Sequence, residues 1–425
     1  MTTIAITPAL RPLDALARIP GSKSITNRAL LLAALAEGVS TLEGVLFSDD
    51  SHWFIDGLQR LGVAVEADRA AEQVRVHGLG AGPPATAAEL WVELAGTAAR
   101  FLLAYAALGQ GHYTIDGNAR MRQRPMADLI GTLNRLGSYC HSLGEHGGLP
   151  IRMEACGLRG GMAELAGDKT SQFLSALLMV APYAERDVEL VMTTPLAATP
   201  YIDMTTTLMA AFGATVERVG YERFQVRAGQ RYAARAYRIE PDASNASYFF
   251  AAAAATAGRV RVAGLGRDAI QGDVAFLAIL EQMGCTITAG DGWIELQGPA
   301  QLRGVDVDLS KLPDMAITLA ALAPFADRPT TIRNVALIRH HETDRIAALV
   351  TELRKLGVVV NEYPDGLAIE PGWQHGAVID SHHDHRMAMG FAVAGLKIPG
   401  LRIAGAEAVA KTFPDFFERF ADLLG

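Results

Sequence analysis

A helix ending that recurs six times along the chain is the feature that most restricts its fold. Amphipathic segments such as LQRLG, LNRLG and LEQMG each stop at a glycine, and a β-prone stretch follows four of the six. Glycine suits the end of a helix because it enters the left-handed conformation without a Cβ penalty. The spacings lie between 68 and 76 residues, and the glycines are Gly62, Gly137, Gly213, Gly284, Gly357 and Gly425.

This repeat predicts an α/β (α+β) protein built from six units, each with a strand, a loop, a helix, a strand and additional strands. The period is longer than that of the usual solenoid repeats. Six such units fit two domains of three units around a pseudo-threefold axis better than an open array. Strands and helices also alternate by chance in α/β proteins, so the weaker copies alone do not establish the repeat.

A candidate domain boundary lies in the middle of the chain. Residues 229–238 are rich in arginine and alanine without periodicity, and an acidic and serine-containing segment then opens an apolar helix. A second crossing is expected near Pro20. We therefore predict a discontinuous domain of residues 1–21 and 240–425 and a continuous domain of residues 22–239. Because clefts between domains are usual ligand sites, we expect the active site there.

Composition narrows the class of protein. The chain has 425 residues, half of them hydrophobic, which is enough for two cores. A net charge of -8 argues against general nucleic-acid binding, which depends on neutralising phosphates. The three cysteines form no CxxC pair, which is typical of a reducing compartment. With neither a secretory signal nor an apolar run long enough for a membrane span, the sequence predicts a cytoplasmic protein.

Basic and small residues recur where predicted loops enter apolar helices. Residues 20–28 (PGSKSITNR) place two cations at a helix start, where unpaired N–H groups attract anions. Residues 95–100 (AGTAAR) are small enough for a ligand to approach the backbone. Residues 120–125 (RMRQRP) and 168–172 (DKTSQ) add arginines and hydroxyls. Each pattern alone is equally typical of solvated charges, close helix packing or simple capping.

Two histidine-rich acidic segments raise the alternative of a metal site. They are residues 339–345 (RHHETDR) and 381–387 (SHHDHRM), and neither has the HExxH or Cys/His spacing of a zinc site. Carboxylates beside arginines are instead suited to acid–base catalysis within an anion site, or form a surface ion-pair network. With Lys411 before the last helix, the set as a whole predicts a site for a multiply anionic substrate.

These segments in this order resemble the 5-enolpyruvylshikimate-3-phosphate (EPSP) synthase family over nearly the whole chain. The matching segments are PGSKSITNRALLLAAL, AGTAAR, RMRQRPM, SQFLSALLM, PYIDMT, DASNASYF, QGD, PDMA, ETDR, DHRMAM and AKTFPDFF. The resemblance implies two domains, each of three βαβαββ units, in agreement with the repeat. It also implies transfer of the enolpyruvyl group of phosphoenolpyruvate to the 5-hydroxyl of shikimate 3-phosphate by addition and elimination, in aromatic amino acid biosynthesis. A monomer without metal or organic cofactor is implied.

The resemblance also assigns roles to residues at matching positions. Expected to bind phosphoenolpyruvate are Lys23, Gly96, Arg124, Gln172, Arg345, Arg386 and Lys411. Expected to bind shikimate 3-phosphate are Lys23, Ser24, Arg28, Thr170, Ser171, Gln172, Tyr201, Asp314 and His341. The expected catalytic groups are Asp314 and Glu342, supported by Lys23 and His385. The sequence leaves open which group performs which proton transfer.

Several positions depart from the family pattern. They are Leu94 and His383 for Asn, Phe101 for Pro, Ala198 for Ser, Leu337 for Asn and His341 for Lys. The lost polar contacts predict weaker binding of shikimate 3-phosphate, by about 1 kcal/mol for each hydrogen bond. Phe101 is expected to reshape the helix that positions Gly96. A protonated His341 would replace the missing lysine charge.

Two alternatives remain open from the residues. The sister enzyme that transfers enolpyruvyl to UDP-N-acetylglucosamine typically carries a cysteine in an arginine-rich loop, and residues 111–125 contain none. A non-catalytic binding protein of the same fold would explain the departures around shikimate 3-phosphate. However, such a protein would not need Lys23, Asp314, Glu342 and His385, all of which are present.

Overall fold

The computed structural model describes residues 2–372 and 374–425. The chain forms two compact units. The central unit is Gly21–Ile239, and the terminal unit combines the chain up to Pro20 with Glu240–Gly425. Within the described residues, no helix is both long and apolar enough to cross a membrane.

The elements of the two units follow one another along the chain. The terminal unit begins with β1 (Thr3–Ala5) and β2 (Asp14–Ala17). The central unit contains α1 (Lys23–Leu35), β3 (Glu37–Glu43), α2 (Asp49–Arg60), β4 (Ala64–Asp68), β5 (Gln73–Leu79), β6 (Ala87–Trp91), α3 (Gly96–Ala106), β7 (Gln110–Asp116), α4 (Ala119–Gln123), α5 (Ala127–Arg135), β8 (Tyr139–Ser142), β9 (Ile151–Cys156), β10 (Gly161–Leu165), α6 (Gln172–Val180), β11 (Val188–Met192), α7 (Pro200–Phe212), β12 (Glu217–Val219), β13 (Arg223–Val226) and β14 (Ala236–Arg238).

The chain then completes the terminal unit. It contains α8 (Ala243–Ala255), β15 (Arg259–Ala263), α9 (Phe276–Gln282), β16 (Thr286–Gly290), β17 (Trp293–Gln297), β18 (Asp306–Asp308), α10 (Ala316–Leu322), β19 (Thr330–Arg333), α11 (Arg345–Lys355), β20 (Val360–Tyr363), β21 (Gly366–Ile369), β22 (Val378–Asp380), α12 (His385–Gly395), β23 (Arg402–Ala404) and α13 (Phe416–Ala421). Short 3-10 helices include Pro313–Met315, Ala336–His340 and Ala406–Lys411.

The strands of the described chain form six small sheets, of which five have four strands in one shared topology and the sixth has three strands. In the central unit their orders are β14-β3-β5-β4, β6-β7-β9-β8 and β10-β11-β13-β12. In the terminal unit they are β2-β15-β17-β16, β18-β19-β21-β20 and β22-β23-β1. Each sheet has one parallel pair, and its remaining pairs are antiparallel. This recurrence confirms the predicted α/β class and the repeat.

The glycines that define the repeat adopt the predicted backbone conformation. All six have a φ angle between 81° and 108°, on the side of the Ramachandran map that a Cβ atom disfavours. Gly213 shows the effect most simply. It caps α7 in the left-handed conformation, and its N–H bonds to carbonyls of the last helical turn.

Each repeat contributes one buried helix and one partly exposed helix. The buried helices are α1, α3 and α6 in the central unit and α8, α10 and α12 in the terminal unit. All residues of α8 are buried, and its run of alanines allows other helices to pack closely. The polar motifs lie where these buried helices begin. Lys23, Gly96, Gln172 and His385 are each the first residue of one, and the Asp314 turn leads into α10.

Candidate active site

A buried arginine is the centre of the polar cluster in the terminal unit. Arg345, the first residue of α11, is only 1% exposed. Its guanidinium donates to Asp384 at 2.7 Å, to Asp314 at 2.7 Å and to Glu342 at 2.9 Å. Burial by itself lowers the pKa of Arg345, but the charges of Asp384, Glu342 and Asp314 raise it above its usual value. Arg345 therefore stays cationic and holds all three carboxylates.

Two further cations complete this cluster. Arg386 Nη2 lies 3.0 Å from Asp314 Oδ2, so each oxygen of that carboxylate contacts a different arginine. Lys411 Nζ lies 3.6 Å from Glu342 Oε1. Three cations therefore balance three carboxylates, which makes the burial of so many charges tolerable. An anionic ligand would have to share these three cations with the carboxylates.

Both predicted histidines belong to the cluster as well. His341 Nδ1 lies 2.9 Å from Arg345 Nη1 and 3.6 Å from Asp314 Oδ1. His385 is 1% exposed, and its Nδ1 lies 3.5 Å from Asp384 Oδ1. The structure thus brings together all the predicted residues of the terminal unit, which are Asp314, His341, Glu342, Arg345, His385, Arg386 and Lys411. Asp384, which the sequence indicated only as a carboxylate beside an arginine, is the third acidic member of the cluster.

In the central unit, the start of α3 lies directly against two arginines. A Cβ atom on Gly96 would lie 2.5 Å from Nη1 of both Arg100 and Arg124. Arg100 donates to Gln172 Oε1 at 2.9 Å. Arg124 Nη1 lies 3.4 Å from the carbonyl oxygen of Leu94, a contact that does not depend on the Leu94 side chain. Gly96, Arg124 and Gln172 therefore lie together around Arg100.

Arg100 was not assigned a role from the sequence. It is 2% exposed and lies within an otherwise apolar helix, GTAARFLLAYA. A single charge inside such a helix is rarely buried without a partner. One arginine within an apolar helix was therefore the sequence pattern that indicated a buried, paired charge at this position.

A second buried arginine of the central unit, Arg28, is surrounded by hydrogen-bond acceptors from the same unit. Arg28 is 2% exposed. It donates to the hydroxyls of Thr205 at 2.8 Å and Ser175 at 3.1 Å, and to the carbonyls of Ser24 at 3.0 Å and Tyr201 at 3.3 Å. Burial lowers the pKa of Arg28 to about 10. The predicted residues Ser24, Arg28 and Tyr201 thus adjoin one another, and Ser175 and Thr205 were not anticipated.

Phe101, the residue in place of the family's proline, lies on α3 and packs against Arg28 of α1. Its ring is fully buried, with the Arg28 guanidinium 5.4 Å from the ring centroid and Phe54 edge-on at 6.4 Å. The helix α3 runs without interruption from Gly96 to Ala106. Phenylalanine has the backbone N–H that proline lacks, so it permits this regular helix.

The remaining predicted residues lie at the starts of α1 and α6. Lys23 Nζ lies 3.7 Å from Asp50 Oδ2. Thr170 Oγ1 accepts a hydrogen bond from the backbone N–H of Gln172 at 3.2 Å, and Ser171 is the residue directly before α6. The central unit thus offers hydroxyls, backbone N–H groups and cations at helix N-termini, which favour anions.

The fold of this chain is that of solved enolpyruvyl transferases. An enolpyruvyl transferase of Streptomyces tendae has the same fold, with a TM-score of 0.80 at 18% identity, covering 99% of this chain and 97% of that chain. An EPSP synthase of Acinetobacter baumannii superposes with a TM-score of 0.84 at 26% identity, covering 100% and 98%. A family model described as EPSP synthase (3-phosphoshikimate 1-carboxyvinyltransferase) matches residues 9–420. The chain belongs to the EPSP synthase family.

Sequence relatives agree with this assignment. A 3-phosphoshikimate 1-carboxyvinyltransferase of Nostoc punctiforme is 52% identical over 424 residues, covering 100% of both chains. One of a Janthinobacterium species is 44% identical, covering 95% of this chain and 94% of its own. These comparisons support the shikimate interpretation over the UDP-N-acetylglucosamine alternative.

Proposed function

We propose that this protein transfers the enolpyruvyl group of phosphoenolpyruvate to the 5-hydroxyl of shikimate 3-phosphate, releasing phosphate. The observation that carries the proposal is the buried cluster around Arg345 in a member of this family. The hydroxyl gives up its proton and its oxygen bonds to C2 of phosphoenolpyruvate while C3 gains a proton. The adduct then loses a proton from C3 as the bond from C2 to the phosphate oxygen breaks, which releases phosphate. This reaction needs proton-transfer groups beside fixed cations, and the cluster supplies both.

We assign proton transfer to Asp314 and Glu342. Arg345 and Arg386 hold the two oxygens of Asp314, and Arg345 and Lys411 hold those of Glu342. Such contacts fix the direction in which each carboxylate points, which proton transfer requires. His385 lies beside Asp384 and is a supporting group.

The cations and small residues are assigned to the substrate anions. Arg345 and Arg386 would take the carboxylate of phosphoenolpyruvate, and Lys23, Arg124, Gln172 and Lys411 its phosphate. Gly96 supports this assignment because the Arg124 guanidinium approaches its backbone so closely that a Cβ atom would clash with it. Shikimate 3-phosphate would be bound by Lys23, Ser24, Arg28, Thr170, Ser171, Gln172, Tyr201, Asp314 and His341.

Phosphate release with both substrates, and with each alone, tests the reaction. We expect release only when both are present, and we expect Asp314→Asn and Glu342→Gln to lower kcat by about 100-fold or more. Asp306→Asn is the matched control, because Asp306 is an exposed carboxylate of the same unit, paired with Arg333. Unchanged kcat in both site variants would overturn the catalytic assignment. No release from the folded wild-type protein would overturn the function and favour a binding role.

The proposal includes a monomer in the cytoplasm that binds neither nucleic acid nor membrane. The free thiols of Cys140, Cys156 and Cys285 support a reducing compartment. Sedimentation equilibrium of the purified chain would measure its oligomeric state, and a mass of twice the monomer would contradict this part of the proposal.

A further inference from the structure

The loop between β22 and α12 contains two strained residues in succession. His382 has a φ of 52° and His383 a φ of 56°. The left-handed region is unfavourable for residues with a Cβ atom, and Asn adopts it more readily than most. The family's usual Asn at position 383 suits this conformation, whereas this chain has two histidines. Backbone strain of this kind persists only where the surrounding structure holds it.

A fully buried carboxylate on α11 holds this loop. Glu352 has no exposed surface, and its Oε1 accepts from His382 Nε2 at 2.7 Å. Its Oε2 accepts from the backbone N–H of Asp380 at 3.0 Å. Lys355 Nζ lies 2.8 and 2.7 Å from the two oxygens and provides the balancing charge. Glu352 therefore bonds both the last residue of β22 and the first strained residue of the loop.

The helix α11 also bonds the other end of the loop, at Asp384. Arg345 and Glu352 are seven residues apart, which is about two helical turns, so they lie on one face of α11. Arg345 binds Asp384 through both carboxylate oxygens. Asp384 also caps α12, accepting from the backbone N–H of Arg386 at 2.9 Å. The position of Arg386 thus follows from how the loop is held against α11.

We propose that Glu352 and His382 form a positioning pair that holds Asp384 and Arg386 in the geometry that binds phosphoenolpyruvate. This inference rests on the proposed function, which assigns Arg386 to the carboxylate of that substrate. Neither member of the pair contacts a reacting atom. Without the pair, the strained loop relaxes, and the start of α12 shifts with it.

The Michaelis constant for each substrate tests this role in Glu352→Gln and His382→Asn. Glutamine keeps the shape of Glu352 but removes its charge. Asparagine tolerates the left-handed backbone but removes the imidazole, so any loss cannot come from added strain. We expect KM for phosphoenolpyruvate to rise by about 10-fold, the effect of losing one charge-assisted hydrogen bond. KM for shikimate 3-phosphate should change by less than about 2-fold, since most residues assigned to it lie in or just before α1, α6 and α7 of the central unit rather than beside Arg386.

The double variant separates positioning from general stability. If the two residues act together, Glu352→Gln combined with His382→Asn raises KM for phosphoenolpyruvate no more than either change alone. Additive effects, or equal rises of both KM values, would overturn the proposal. His382 is partly exposed, so His382→Asn decides the question even if the Glu352 variant does not fold.

A control identifies which proposal fails. Glu295 pairs with Arg261 on a sheet of the same unit, and Glu295→Gln should leave both KM values unchanged. Suppose that the wild type and Glu295→Gln both release phosphate, and that KM is unchanged in Glu352→Gln and His382→Asn. This result would overturn the positioning role alone. No release by the wild type would overturn the proposed function, and the positioning role with it.

Discussion

At the scale of single residues, Asp273 is a buried carboxyl group beside the proposed site, and burial makes the ionisation of this carboxyl group unfavourable. It accepts a hydrogen bond from the Ser244 hydroxyl. Burial, and then the charge of Asp314, raise the pKa of Asp273 to about 6, although Ser244 and Arg386 act in the opposite direction. The folded state therefore binds a proton on Asp273 more tightly than the unfolded chain does.

The sign of the resulting pH dependence follows from linkage. Protonated Asp273 contributes fully to the free energy of unfolding at pH values below the pKa that Asp273 has in the unfolded chain. This contribution is lost as the pH rises through about 6, the pKa of Asp273 in the folded protein. We expect Asp273→Asn, which cannot ionise, to gain on the order of 2 to 3 kcal/mol relative to wild type between about pH 4 and pH 7. Urea denaturation at both pH values measures this difference. Asp291→Asn, in the exposed turn after β16, is the control, and a pH-independent difference for Asp273→Asn would contradict the prediction.

At the scale of elements, Phe101 determines the regularity of α3. Proline there would remove one helical N–H and clash with the carbonyl of Thr97, a loss of about 3 kcal/mol or more. Leucine would keep the helix and lose only the ring beside Arg28, a loss of about 1 to 2 kcal/mol. We therefore expect Phe101→Pro to lower the free energy of unfolding clearly more than Phe101→Leu, measured by urea denaturation. Equal stability of the two variants would show that α3 accepts a proline without strain.

The elements also show how far the sequence determines the structure. The repeated glycines correctly predicted where helices end, because that signal is a local backbone requirement. The partners of Arg28 were not predictable, since Ser175 and Thr205 are 147 and 177 residues away along the chain. The partners of β2 and β14 were not predictable either. β2 precedes α1 of the central unit but pairs with β15 of the terminal unit, and β14 precedes α8 of the terminal unit but pairs with β3 of the central unit. Pairing over such distances leaves no periodic signal in the sequence.

At the scale of the whole molecule, the terminal unit depends on both ends of the chain. β1 pairs with β23, and β2 pairs with β15. Ile6, Leu13 and Ile19 are buried in the terminal unit. Burial of three such side chains contributes about 1.5 to 3 kcal/mol each, which is comparable with the total stability of a domain, about 5 to 15 kcal/mol. The central unit, in contrast, builds its three sheets from its own strands.

This asymmetry predicts how fragments of the chain fold. We expect the fragment of residues 21–239 to unfold cooperatively in urea on its own, as followed by circular dichroism. The fragment of residues 240–425 should lack a cooperative transition, because it retains only a two-stranded remnant of the β22-β23-β1 sheet and loses the β2 edge. A peptide of residues 1–20, added in trans, should restore the transition, and a scrambled peptide of the same composition should not. Cooperative unfolding of the 240–425 fragment without the peptide would show that its helices α8, α10 and α12 suffice as a core.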